Sequence, residues 1–82
     1  MVFEVKTSPN PFANNFKINI NTSAKNNINY KVYDMIGKLI DTQSLSLTEL
    51  GETELGAQYP SGVYNIIVTQ GENVKTLRVI KR

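Results

Sequence analysis

The sequence predicts an all-β fold, an antiparallel Ig-like β-sandwich of six or seven short strands, on three observations. Apolar and polar residues alternate in short runs, most clearly at Phe16, Ile18 and Ile20 against Lys17, Asn19 and Asn21. A period of two marks a strand with one face buried. Turn residues punctuate the chain at fairly regular intervals, as they do in sandwiches. Finally, Tyr59-Pro60-Ser61-Gly62 leads directly into Val63-Tyr64-Asn65-Ile66-Ile67-Val68-Thr69, a β-branched and aromatic run with apolar residues on both faces. Such a run belongs to an interior strand.

Taken in order, residues 2–6 alternate weakly and read as a short first strand or as a lead-in, with residues 1–7 linking to whatever lies upstream. Pro9-Asn10-Pro11-Phe12 interrupts them. Neither proline can donate to a ladder, and each biases the residue before it toward extended geometry. The segment is therefore expected along a sheet edge, with Phe12 as a buried plug. Residues 16–20 form the clear strand, and residues 21–27 a polar loop. Asn21-Thr22-Ser23 matches a glycosylation sequon, but so short a match reads first as a polar turn.

Ile28, Tyr30 and Val32 alternate with Asn29, Lys31 and Tyr33 as another half-buried strand. Asp34-Met35-Ile36-Gly37-Lys38 is a hairpin signal, with Gly37 expected in the left-handed region after a type I turn. Residues 38–46 return as the partner strand, beginning apolar at Leu39 and Ile40. Residues 47–56 are mixed. A helix over residues 47–50 is conceivable, but Gly51 and Gly56 favour a loop with a short strand near residues 52–55. Pro60 and Gly62 then shape the turn before the central strand, Pro60 by its fixed φ and Gly62 by its freedom to take positive φ. A tight turn at residues 70–73 precedes a last strand over residues 74–80. The core is expected from Phe16, Ile18, Ile20, Ile28, Tyr30, Val32, Tyr64, Ile66 and Val68, joined by Leu77 and Val79.

Composition narrows the function. The 82 residues make one domain, 1–82, near the size at which one core suffices without staples. With no Cys and no His, the chain has no disulfide, thiolate or imidazole metal site, and no Ser-His-Asp or Cys-His nucleophile. A net charge of +2, spread from Lys6 to Arg82, is too weak and dispersed for a nucleic-acid surface. No run reaches the apolar length of a membrane span, and the first residues are not those of a signal peptide. No cofactor, metal or catalytic residue is assigned. Glu49, Glu52 and Glu54 cluster, but they lack the spacing of a Ca²⁺ loop and read as a solvated acidic surface. Tyr33, Tyr59 and Tyr64 could line a sugar-binding face, yet core, half-buried and turn-capping positions suit them better.

Three motifs together resemble a known family, the type A C-terminal sorting domain of the Bacteroidota type IX secretion system. They are Pro9-Asn10-Pro11-Phe12 before an alternating strand; Val32-Tyr33-Asp34 with Gly37-Lys38-Leu39; and Pro60-x-Gly62-Val63-Tyr64 leading to a basic-ended final strand, Lys75 to Lys81. The resemblance spans residues 8–82. Two features depart from it: Tyr59 stands where such domains usually carry leucine, and residues 49–56 are unusually acidic and Gly-rich.

The resemblance implies a non-catalytic address label at the end of a secreted precursor. Its partners would be the upstream cargo, the outer-membrane translocon and a sortase-like peptidase that removes the domain as cargo is attached at the surface. The precursor would carry an N-terminal export signal, cross the periplasm and finish at the cell surface or outside the cell, without inserting in the membrane. Met1 would be an artificial start. The alternatives are an Ig-like adhesion or spacer module and a small carbohydrate-binding module. Partner recognition is expected from Lys75, Arg78, Lys81 and Arg82, with Pro9, Asn10, Pro11 and Phe12 as the next candidate edge. Asp34, Gly37, Lys38, Pro60, Gly62, Val63 and Tyr64 are expected as structural motif residues.

Overall fold

A computed structural model of the chain describes residues 2–82. Its elements are β1 (Phe3–Ser8), β2 (Lys17–Thr22), β3 (Ile28–Tyr33), β4 (Leu39–Leu45), α1 (Leu47–Glu52), β5 (Gly62–Gln70) and β6 (Asn73–Lys81). β1 and β2 form one antiparallel sheet, and the other four strands form a second in the order β4-β3-β5-β6. The expectation of an antiparallel sandwich of six or seven strands is met by six strands in two sheets.

Alternation sets the register. Tyr30 lies opposite Val68, and Val32 opposite Ile66, across β3 and β5. Tyr64 meets Val79, and Ile66 meets Leu77, across β5 and β6. In the small sheet Val5 faces Ile20, with Thr7 opposite Ile18. A slip of one residue in any pair would turn its apolar set to solvent. Of the expected core, Phe16, Ile18, Ile28, Tyr30, Val32, Tyr64, Ile66 and Val68 are buried, while Ile20 is half-buried against the cluster. Val79 is buried and Leu77 half-buried, as their positions in the last strand imply. β5 pairs on both sides, so it is the interior strand its composition predicts.

Two expectations need correction. Of the two readings of the first residues, the strand is observed: Phe3–Ser8 pairs with β2 and buries Val5, so residues 3–7 belong to the fold and are not a lead-in. The segment after β4 is a helix, not a loop leading to a strand at residues 52–55; Leu55 makes only a single bridge, to Phe16. The cause is local. The Ser46 hydroxyl accepts from the Glu49 N–H at 3.2 Å, and the Glu49 carboxylate accepts from the Ser46 N–H at 3.0 Å. This reciprocal capping box offsets the propensity cost of Gly51, and Leu50 anchors the helix in the core. Gly37 at φ 84° and Gly62 at φ 157° both take the positive φ expected of them.

Candidate functional site

The first motif docks on the last strand. Phe12 N–H donates to the Ile80 carbonyl at 2.8 Å, and Arg82 N–H donates to the Phe12 carbonyl at 2.9 Å, a parallel bridge that extends the sheet beyond β6. Pro9 and Pro11 have no N–H to offer the β6 edge, and Asn10 substitutes its side chain. Its Nδ2 donates to the Arg78 carbonyl at 2.9 Å, and its Oδ1 accepts from the Ile80 N–H at 3.1 Å. One carboxamide thus does the work of a backbone donor and acceptor. The Phe12 ring is fully buried, as expected of a plug, and packs against Phe16 with centroids 4.8 Å apart.

Lys81 finishes this edge from within. Its register opposite Gly62 puts it on the inner face of β6. There its Nζ donates to the carbonyls of Gly56 at 2.7 Å and Asn14 at 3.1 Å, lying 5.2 Å from the Phe12 ring centroid. Lys81 is therefore half-buried and engaged with the fold. Arg78 and Arg82 remain exposed at the same end. Lys75 is exposed too, but it pairs with Val68 near the opposite end of β5. The structure thus gathers Pro9 to Phe12 with Arg78, Lys81 and Arg82, and leaves Lys75 apart.

The second motif is fixed by a carboxylate. Asp34 Oδ1 accepts from the N–H groups of Ile36 at 3.1 Å and Lys38 at 2.9 Å, while Gly37 N–H donates to the Asp34 carbonyl at 3.0 Å. The third motif lies beside it. Tyr64 is buried and its hydroxyl donates back to the Pro60 carbonyl, which pins the turn to the strand that follows. The hairpin and this turn together wall a depression of about 250 Å³ lined by Asp34, Met35, Ile36, Pro60, Val63 and Tyr64 among others. Val63 in turn pairs with Ile80, the residue that Asn10 and Phe12 grip. All three motifs therefore meet at one end of the four-stranded sheet.

A part-buried polar cluster braces that end. The Tyr59 hydroxyl donates to Asp41 Oδ2 at 3.2 Å, and the Tyr59 ring packs on Tyr64 at 4.9 Å. Burial, with the charge and hydrogen bond of Asp41 added, pushes the Tyr30 hydroxyl up to about 12 and raises Tyr59 further in the same direction. Tyr59 is thus more than a cap on the turn. The far end is closed differently: buried Gln70 accepts from the Thr22 hydroxyl at 2.6 Å and donates to the carbonyls of Ala24 and Asn26.

In the sequence Gly56 reads only as a loop residue, and nothing marks Asp41 as a tyrosine partner. A Cβ on Gly56 would come within 2.6 Å of the Phe12 ring, and its φ is 90°. Backbone carbonyls carry no sequence signature, so the partners of Lys81 were unreadable as well. Among the described residues, no group of three or more acidic side chains is placed to hold a metal ion, and no helix is long and apolar enough to cross a membrane.

Compared with known families, residues 6–82 match the model described as secretion system C-terminal sorting domain. A search of curated proteins gives no match.

Proposed function

The chain belongs to the type IX secretion system C-terminal sorting domain family, a family of sorting signals rather than catalysts, and from that membership we propose how this copy works. As a type IX sorting signal it directs an upstream cargo in the same precursor to the cell surface or beyond. The finer steps are our reading. The precursor enters the periplasm by its own N-terminal signal, and the domain folds there. The translocon then recognises the folded domain at the end where the three motifs meet, and a sortase-like peptidase removes it as cargo is attached.

The convergence carries this reading. Pro9 to Phe12, Asp34 to Lys38 and Pro60 to Tyr64 lie far apart in sequence but adjoin one another across β3, β5 and β6. Arg78 and Arg82 stand exposed beside them and can orient an acidic partner. Lys81 and Phe12 act indirectly, by holding that end in shape. A sugar-binding platform is disfavoured, because of Tyr33, Tyr59 and Tyr64 the last is buried, Tyr33 is half-buried and Tyr59 packs inward.

The test is to fuse residues 1–82 behind a periplasm-targeted reporter in a host that has this secretion system. The reporter should reach the surface. Retention of the fusion in the periplasm would overturn the reading. Residues appended after Arg82 should block export, whereas a spacer module would tolerate them.

A further inference from the structure

Met35 and Ile36, at the tip of the β3–β4 hairpin, are 72% and 87% exposed. The turn does not call for them. Asp34 and Gly37 fix its geometry, and its two central positions accept most residue types, polar ones included. The two side chains are also not isolated. Met35 walls the 250 Å³ depression and, with Val63, Asn65 and Arg78, a second hollow of about 240 Å³. Ile80, paired with Val63, adds a further apolar side chain that is 41% exposed. A contiguous apolar surface flanked by hollows is the form of a docking site, where isolated exposed apolar residues would need no explanation.

The rim is positively charged. Arg78 lines the second hollow, and exposed Lys38 closes the turn. The nearby carboxylate, Asp34, has its Oδ1 occupied by two backbone N–H groups. A complementary surface would therefore carry an apolar ridge bordered by carboxylates.

We propose that this end of the sheet docks a folded translocon protein of that chemistry, with Met35 and Ile36 as apolar anchors and Arg78 as the charge that orients it. The proposal rests on the reading of the chain as a sorting signal. It moves the weight of recognition from a basic chain end to an apolar patch with a basic rim.

The reporter fusion tests it with three variants: Met35→Ser combined with Ile36→Ser, Arg78→Glu, and Arg78→Lys. Their melting midpoints should match the parent's, because the altered side chains are exposed. The double variant should lower surface reporter by about tenfold or more, the effect of losing a hot spot. Arg78→Glu should lower export as well, and Arg78→Lys should retain most of it. Export of the double variant at the parent's level would overturn the proposal while leaving the sorting reading intact. Failure of the parent fusion itself would instead remove the sorting reading and this partner with it. Two measurements on the purified domain separate other occupants. Self-association in sedimentation equilibrium that is lost in the double variant would assign the patch to a second copy. Flotation with phosphatidylglycerol vesicles would assign it to a lipid surface. Either result would overturn the proposal.

Discussion

The Lys81 ammonium donates to the Gly56 carbonyl at 2.7 Å, so the last strand is tied to the loop ahead of β5 by a charged hydrogen bond. Further bonds to the carbonyls of Asn14 at 3.1 Å and Ala57 at 3.5 Å bring three loop carbonyls to one cation. This arrangement changes what the basic residues at the end of the chain are for. Arg82 contributes its backbone to the Phe12 bridge and leaves its side chain in solvent.

Lys81→Ala should therefore destabilise the domain by about 1–3 kcal/mol, the usual cost of removing a charged donor from part-buried acceptors. Arg82→Ala should stay within about 0.5 kcal/mol of the parent. For a domain of this size the first loss would lower the melting midpoint by roughly 4–8 °C per kcal/mol. Equal midpoints for the two variants in thermal melts would show that the Lys81 bonds contribute nothing. A combined alanine variant at both positions cannot separate recognition from folding, and Arg78 is the better probe of recognition.

Gly56→Ala should be the most damaging glycine substitution. It combines a left-handed backbone with a Cβ driven to 2.6 Å from Phe12, whose ring is fully buried and cannot move aside cheaply. Gly37→Val meets no neighbouring atom but retains the positive φ, and should cost on the order of 1–3 kcal/mol. Gly62→Val likewise meets no neighbouring atom but keeps a positive φ of 157°, and should cost a similar amount. Chemical denaturation of the three variants checks this, and a Gly56 variant as stable as either of the others would refute it.

Ser46→Ala should cost about 0.5–2 kcal/mol through loss of the N-cap. Its partner gives a pH signature. Hydrogen bonds from the Ser46 backbone and side chain lower the Glu49 carboxyl below its ordinary 4.5. A carboxylate lowered on folding contributes stability above its unfolded value, and that contribution disappears as pH falls through the folded value. Acidification through the carboxylate range should thus lower the parent's melting midpoint more than that of Glu49→Gln. Parallel profiles for the two proteins would dissociate Glu49 from the cap.

Tyr30 and Tyr59 predict the opposite slope at alkaline pH. Both hydroxyls are raised above 10.0 on folding, by burial first and by Asp41 second. Groups raised in this way contribute stability that is complete below about pH 10 and is lost as pH rises toward the folded values. The parent should therefore lose stability steadily above that pH, and Asp41→Asn should do so less steeply because one cause of the shift is gone. Tyrosinate absorbance should show Tyr30 and Tyr59 titrating late in the native state. Ordinary titration of Tyr30 and Tyr59 in folded protein would contradict the cluster.

Strand existence and faces were legible because alternation with period two leaves no other way to bury Ile18, Tyr30, Val32, Ile66 and Val68 together. The Gly37 turn and the Phe12 plug were legible for a related reason, since glycine and proline restrict the backbone wherever they stand. The family could be identified on the same basis, because its motifs are turn and edge signatures of this kind. The helix was readable but outweighed: Ser46 and Glu49 stand at capping-box spacing, yet Gly51 and Gly56 gave the segment the look of a loop.

What the sequence determined by itself, then, was everything governed by local backbone chemistry and by the period of burial. Only the tertiary structure decided that Lys81 turns inward while Arg78 turns outward, that an Asn10 carboxamide grips β6, and that Met35 shares a surface with Val63 and Ile80. Those outcomes depend on which backbone carbonyls and side chains of distant segments arrive at the same place. A carbonyl has the same chemistry in every residue, so its arrival beside a lysine leaves no mark in the sequence.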